Sequence, residues 1–220
     1  MKIICVIPAW NEEKNISSVI TAVKKQIPEV VVVDDGSQDN TSEQARQSGA
    51  TVLKHIINRG QGAALQTGNE YALTKKADII VHFDADGQFL SREIPEIIKP
   101  LRKQEVDIVF GSRFLEKKSH LPFSKKYFLL PLARLVNKFV LRVDLTDPQS
   151  GFRALSSRAA KAITIEQDGM AHCSEIIYKA FQKKLKFQEV PITVIYHNFG
   201  QKLGGGIKIL KDLLFAKLMN

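Results

Sequence analysis

Short apolar runs rich in β-branched residues alternate along this chain with longer stretches in which apolar positions recur every three or four residues. A period near two marks strands and a period near 3.6 marks amphipathic helices. The pattern predicts strands near 3–7, 30–34, 51–54, 78–83 and 107–110, with late strands at 152–155 and 186–196. It predicts helices near 14–25, 41–48, 61–75, 92–103, 126–142, 157–163 and 172–184. Such alternation is the signature of βαβ units and a largely parallel sheet. Asn40 with Glu43 has capping-box spacing, and Ser91 and Ser156 stand where N-caps are expected.

Ligands of such a sheet bind beyond the carboxyl ends of its strands. Polar clusters follow five of the apolar runs in turn: "CVIPAWNEE", "VVVDDGSQDN", "HIINRGQGAA", "VHFDADGQ" and "IVFGSRF". They describe a single site along one sheet edge.

At 220 residues and 24.7 kDa, with 44% hydrophobic and 25% charged residues, the chain is long enough for one domain with a substantial core. Residues 1–200 are read as that domain and 201–220 as a glycine hinge, "QKLGGGI", followed by a C-terminal amphipathic helix. The hinge also reads as a plain surface loop. Lys and Arg (32) exceed Asp and Glu (23) by 9, which suits phosphates or an anionic membrane surface, or serves solubility. No nucleic-acid module is recognisable, so nucleic acid is not an expected partner. Cys5 and Cys173 lack metal-ligand spacing, as in a cytoplasmic protein with reduced or buried thiols. The opening "MKIICVIPAWNEE" has too short an apolar stretch, and acidic residues where a leader would be cleaved. The longest apolar segment, "YFLLPLARLVNKFVLRV", is interrupted by Pro131, Arg134, Lys138 and Arg142 and suits lying on a bilayer more than crossing one.

Asp84 and Asp86, at i and i+2 after a strand, point to the same side and repel unless something positive lies between them. An EF-hand is excluded, because the positions that need Gly and a bidentate Glu are Phe89 and Pro95. Two carboxylates with Gln88 beside them suit Mg²⁺ or Mn²⁺ sharing its coordination with a diphosphate; an Asp-Gly turn capped by its own side chain is the alternative. Asp34 and Asp35 suit a base N–H or a ribose hydroxyl, or a helix cap that would use only one of them. "NRGQGAALQTG" is neither a P-loop nor a dinucleotide fingerprint, since the third glycine position is Leu65, but Arg59 and the helix start after it could meet an anion. Arg113 offers a fork-shaped donor, and "TDPQSGFRAL" carries Asp147, Gln149, Ser150 and Arg153. His172 and Glu175 share a helical face and read by default as a surface pair.

Taken together, "VIPAWNEEKNI", "VVVDDGSQDNT", "NRGQGAALQTG", "DADGQ", "IVFGSRF" and "DPQSGFRAL" resemble family 2 glycosyltransferases of the GT-A fold. Within them the chain is most similar to the dolichol-phosphate mannosyltransferase and polyprenyl-phosphate glycosyltransferase group. The resemblance implies an α/β fold with a mostly parallel, Rossmann-like central sheet flanked by helices. It also implies a metal-dependent, inverting transfer from a UDP- or GDP-linked sugar, with Mg²⁺ or Mn²⁺ as cofactor. Pro8, Ala9, Glu12, Asp35, Asp84 and Arg59 are then the expected donor-binding residues, and Asp84, Asp86 and Gln88 the metal site. Asp86, Arg113 and Glu175 are the expected catalytic residues.

The acceptor follows from proton chemistry. A sugar hydroxyl needs a positioned base, whereas a lipid phosphate with a second pKa of about 6 is already anionic. The Gln-x-x-Arg-Trp motif of hydroxyl-transferring relatives is absent, and basic residues surround the segment at 126–142. That favours a polyprenyl phosphate, with Lys125, Lys126, Arg134, Ser150, Arg153 and His172 on the acceptor side. Related synthases often place an arginine and a serine early in that segment; here it reads "FLLPLA", which shifts the role to Lys125, Lys126 or Arg134. The expected location is the cytoplasm, peripheral at the membrane face, with the last helix on a bilayer, against a second copy or a membrane-protein partner, or closing the core. The rivals are a hydroxyl acceptor with Asp147, Asp168 or Glu175 as base, a nucleotide-binding oxidoreductase, and a non-catalytic sugar-nucleotide sensor.

Overall fold

The computed structural model describes residues 1–115 and 145–195. Their elements run β1 (Ile3–Ala9), α1 (Ile16–Lys24), β2 (Glu29–Asp34), α2 (Thr41–Gln47), β3 (Thr51–Lys54), α3 (Gln61–Thr74) and β4 (Ile79–His82). A 3-10 turn (Ser91–Glu93) leads into α4 (Ile94–Arg102), followed by β5 (Ile108–Ser112), β6 (Arg153–Ser156), α5 (Ser157–Ala162), α6 (His172–Gln182) and β7 (Phe187–Pro191). The helix expected at 126–142 and the C-terminal hinge and helix lie outside the described residues.

One sheet carries the order β3-β2-β1-β4-β6-β5-β7, with β6 antiparallel to both neighbours and every other pairing parallel. Because successive strand residues face opposite ways, the central strands fill two cores. Cys5, Ile7, Val30, Val32 and Val81 face α1 and α4, while Ile4, Val6, Val31, Val33 and Ile80 face α3, α5 and α6. From β1 the chain first winds outward through β2 and β3 and then returns to place β4 on the other side of β1. That reversal opens a crevice outside the carboxyl ends of β1 and β4, where residues 8–12 and 84–88 emerge.

β6 was not distinguishable as antiparallel in the sequence. Its reversed direction brings its first residue, Arg153, into register with His82 at the end of β4 and with Phe110 of β5. The polar loop at 146–151 therefore arrives at the crevice instead of at the opposite edge.

α3 lies so close to β1 that a Cβ on Gly68 would stand 2.2 Å from Val6 Cγ1. Gly68→Ala would gain roughly 1 kcal/mol in an exposed helix. Here overpacking reverses the sign, and urea unfolding should show a loss of about 1–3 kcal/mol; a stabilised variant would mean the helix can lift away without penalty.

The helix starts correct two expectations. Ser156 does cap α5, its Oγ accepting from Ala159 N at 3.1 Å. Asn40 makes no side-chain cap, because its own N–H donates to Glu13 Oε2 and Asp39 accepts from Thr41 N. Ser91 opens the 3-10 turn and α4 begins behind Glu93.

Candidate active site

The two acidic pairs have different fates. Asp34 is fully buried; its Oδ1 accepts from Ser37 N at 2.8 Å and its Oδ2 from the Ser42 hydroxyl, with Lys54 Nζ at 3.5 Å. Burial works against its charge, but the hydrogen bonds from Ser37 and Ser42, with Lys54, hold the carboxyl below the usual range. Asp35 reaches across to the loop before α3. Its Oδ1 accepts from Arg59 N at 3.0 Å and meets His55 Nδ1 at 2.7 Å, and its Oδ2 accepts from Gly60 N at 2.6 Å. The His55 ring is completed by Thr67 Oγ1 at 2.9 Å from Nε2.

Just before α3 the Asp35 carboxylate thus takes the N–H groups of Arg59 and Gly60, close to the positive end of the helix. Gly62 N donates onward to Asp168 O at 2.7 Å, and Arg59 Nη2 pairs with Asp168 at 3.1 Å. A Cβ at Gly62 would fall 1.9 Å from Gln167 O, so this glycine serves the close approach of the 167–168 backbone. Asp35 and Arg59, the expected donor-binding residues, brace the loop that walls the crevice. Neither carboxylate of the 34–35 pair is left idle.

Asp84 and Asp86 stand differently. The Phe83 ring packs edge-on to Phe152 at 5.0 Å and to Phe89 at 5.8 Å, so the 84–88 loop is clamped by aromatics at both ends. Ile195 N also donates to Gln88 O. Asp84 Oδ1 accepts from Gln61 Nε2 at 2.9 Å, and a Cβ on Gly151 would lie 2.5 Å from its Oδ2. The Asp-Gly turn is present as well: Asp86 Oδ1 accepts from Gln88 N at 2.9 Å across Gly87, whose φ is +75°. Burial of the carboxyl group, then the neighbouring Asp86 charge, raise Asp84 to about 7. Glu12 at the end of β1 is raised too, by burial first and by Asp86 and Asp39 in addition. Asp86 therefore repels both Asp84 and Glu12 across the crevice, a condition that a cation at the acidic pair would relieve.

The ionisation of Asp84 has a measurable sign. Its folded-state value lies above the unfolded one of 3.8, so the native state holds the extra proton and loses stability from this group as pH rises from about 4 to about 7. In metal-free protein, Asp84→Asn should gain on the wild type through that window and level off above it. A difference in unfolding free energy that stays flat between pH 4.5 and 7 would contradict the enclosure of this carboxyl.

Arg113, at the end of β5, is held by Asp147: Nε to Oδ2 at 2.6 Å and Nη2 to Oδ1 at 2.7 Å, with the backbone N–H of Arg113 on Oδ2 as well. Glu189 of β7 anchors the Asp147 loop by accepting from Thr146 N and Asp147 N. Glu175 is not on the surface; its carboxylate accepts from Glu166 N and Gln167 N and pairs with Lys179 at 2.7 Å, bracing the same 166–168 loop that backs Gly60 and Gly62. His172 and Arg153 are 0% and 1% exposed, so neither faces an acceptor. Ser150 is buried, its hydroxyl without a partner among the described residues. Lys125, Lys126 and Arg134 lie outside the described residues. Spacing alone does not reveal the roles of Gln61, His55, Glu189 or the Phe83–Phe89–Phe152 cluster; Gln61 stands within "NRGQGAALQTG", but nothing local ties it to Asp84.

A profile of the family described as glycosyl transferase family 2 matches residues 4–164. The chain belongs to that family. The UDP-N-acetylglucosamine–dolichyl-phosphate N-acetylglucosaminyltransferase of Methanococcus voltae is 34% identical over 240 residues, which cover 97% of this chain and 95% of that one. The undecaprenyl-phosphate mannosyltransferase of Micrococcus luteus is 29% identical, covering 94% of this chain and 89% of its own length. Among solved structures, glucosyl-3-phosphoglycerate synthase from Mycobacterium tuberculosis in complex with UDP superposes with a TM-score of 0.75 at 22% identity, over 97% of this chain and 79% of that one. Other structures of that synthase contain UDP with Mn²⁺ and glucosyl-3-phosphoglycerate, or UDP with Mg²⁺. This family 2 member is a glycosyltransferase of the GT-A fold, and among its described residues no helix is long and apolar enough to cross a membrane.

Proposed function

We propose that this glycosyltransferase moves a sugar, with inversion, from a nucleoside-diphosphate donor linked to UDP or GDP onto a polyprenyl phosphate, using Mg²⁺ or Mn²⁺. The observation that carries the reading is the strained acidic pair Asp84–Asp86 at the topological switch point. Among the described residues no set of three or more His, Cys, Asp or Glu side chains is placed to hold one metal ion. Two hard oxygen donors with an incomplete set fit a cation that takes its remaining ligands from a diphosphate and water. Asp84 and Asp86 would hold it, Gln61 would fix the Asp84 carboxylate, and the missing side chain of Gly151 admits the close approach of the 151 backbone to that carboxylate. When bound, the cation would supply positive charge to the departing nucleoside diphosphate.

A phosphate oxygen of the acceptor attacks the anomeric carbon as the bond from that carbon to the diphosphate oxygen breaks, and no proton has to be removed. The engaged carboxylates support this acceptor over a hydroxyl. Asp147 is spent on Arg113, Glu175 on the 166–167 backbone and Lys179, and Asp168 is paired with Arg59. None stands ready as the base that a hydroxyl would require. Lys125, Lys126 and Arg134 are the proposed partners of the lipid phosphate, at a site on the cytoplasmic membrane face. The names of the Methanococcus and Micrococcus relatives support the same acceptor class.

A ligand that binds only the folded state raises its melting temperature. UDP or GDP is expected to stabilise the protein with Mn²⁺ or Mg²⁺ and much less without. Stabilisation by NAD alone, or an identical response with and without metal, would end this reading.

A further inference from the structure

Behind the acidic pair lies a buried polar relay that the donor chemistry does not itself use. Because side chains alternate along a strand, His82 and Asp84 project to the same side of the sheet, toward α3 and α6. Arg153, in register with His82, extends into the space between them and is 1% exposed. Its Nη2 donates to Ser150 O at 2.9 Å and to Cys173 Sγ at 3.2 Å. No carboxylate among the described residues is paired with this guanidinium, and its Nε has no partner among them. The Cys173 sulfur, itself 3.4 Å from His172 Nε2, therefore shares this guanidinium with the Ser150 carbonyl.

The proton positions follow from the partners. Gly169 O can only accept, so His172 Nδ1, 2.8 Å away, carries a hydrogen. The Nε2 then either receives the Cys173 S–H or, in the imidazolium, donates to the thiolate. Burial alone would raise the thiol, but Arg153 and His172 together bring it to about 6. A buried cysteine more often packs as a small hydrophobe, as Cys5 does within the other core. Cys173 instead sits between two cationic or polar groups, and the chain of contacts continues through Ser150 O to Gly151, which abuts the Asp84 carboxylate.

From this geometry we infer that Cys173 and His172 are positioning residues for the donor site. They hold the Arg153 guanidinium against the Ser150 carbonyl, and so set the Ser150–Gly151 turn against Asp84. The inference rests on the reading of Asp84 as part of the metal–diphosphate site. It replaces the expectation that His172 and Arg153 touch the acceptor.

The test compares Cys173→Val, which is apolar, one heavy atom larger, and neither accepts nor donates, with Cys173→Ser, which does both. The readouts are calorimetric affinity for Mn²⁺ in the presence of UDP or GDP, whichever stabilises the wild type, and steady-state kinetics with a short-chain polyprenyl phosphate. Loss of an outer support of a metal ligand typically weakens metal binding by about tenfold or more. Cys173→Val should show that loss with the KM for the lipid phosphate unchanged, and Cys173→Ser should recover to within about twofold of wild type on the same scale. Wild-type binding matched by Cys173→Val, or a serine variant as impaired as the valine one, overturns the inference. A proportional rise in the acceptor KM would point to general damage and overturn it too. If wild-type protein fails to bind Mn²⁺ with either nucleotide, the donor-site reading itself falls and takes this inference with it. Should Cys173→Val fail to fold by circular dichroism, Cys173→Ala carries the same expectations.

Discussion

Asp86→Asn is expected to reduce turnover by about two to three orders of magnitude while leaving the melting temperature of the ligand-free protein unchanged or higher. The size follows from losing a proposed ligand of the cation, and with it positive charge at the departing diphosphate; one such preorganised contact is commonly worth about 10²–10³ in kcat. The unchanged stability follows from the site itself. Asp86 raises both Asp84 and Glu12 by repulsion, and the amide removes that repulsion. The amide can still accept from Gln88 N, which preserves the turn across Gly87. Thermal melts with UDP or GDP should then lose their metal dependence in the variant. Turnover within tenfold of wild type would reduce Asp86 to a turn residue and remove the main support for the proposed function.

Asp35→Ala is expected to act in the opposite way, with a large loss of stability and, in whatever protein folds, a correctly composed but loosened site. Three donors converge on this carboxylate: Arg59 N, Gly60 N and the His55 ring. An alanine leaves them without an acceptor in a place where Asp35 is only 3% exposed. Each orphaned donor costs about 1–3 kcal/mol, less whatever water recovers, so a total near 3 kcal/mol is the expected result in urea unfolding. Hydrogen exchange should locate the loss, with the amides of Arg59 and Gly60 and the first turn of α3 losing protection before the central strands do. If stability is unchanged and only nucleotide affinity falls, Asp35 contacts the donor and the bracing role is wrong.

These two variants separate acidic pairs that look alike as text. "DDGS" and "DADG" both follow apolar runs and both precede a glycine. In the first pair, hydrogen bonds from Ser37 and Ser42 and from the 59–60 backbone consume the charge. In the second, repulsion remains. Nothing local distinguishes them, because the donors that satisfy Asp35 come from 20 to 25 residues away along the chain.

The alternation of β-branched runs with helical periodicity was enough to place all seven strands of the described sheet and the helices between them, since burial on both faces demands that pattern and little else produces it. The same pattern fixed the edge on which chemistry gathers, because parallel strands put their carboxyl ends together. Tertiary structure alone decided the rest. The antiparallel entry of β6 brought Gly151 beside Asp84 and Arg153 beside His82, and the packing of α6 buried His172 and Cys173, although periodicity had left His172 on a surface. Pairing direction and the partner of each buried polar group depend on contacts remote in sequence, and a one-dimensional pattern records which side chains must be covered but not what covers them.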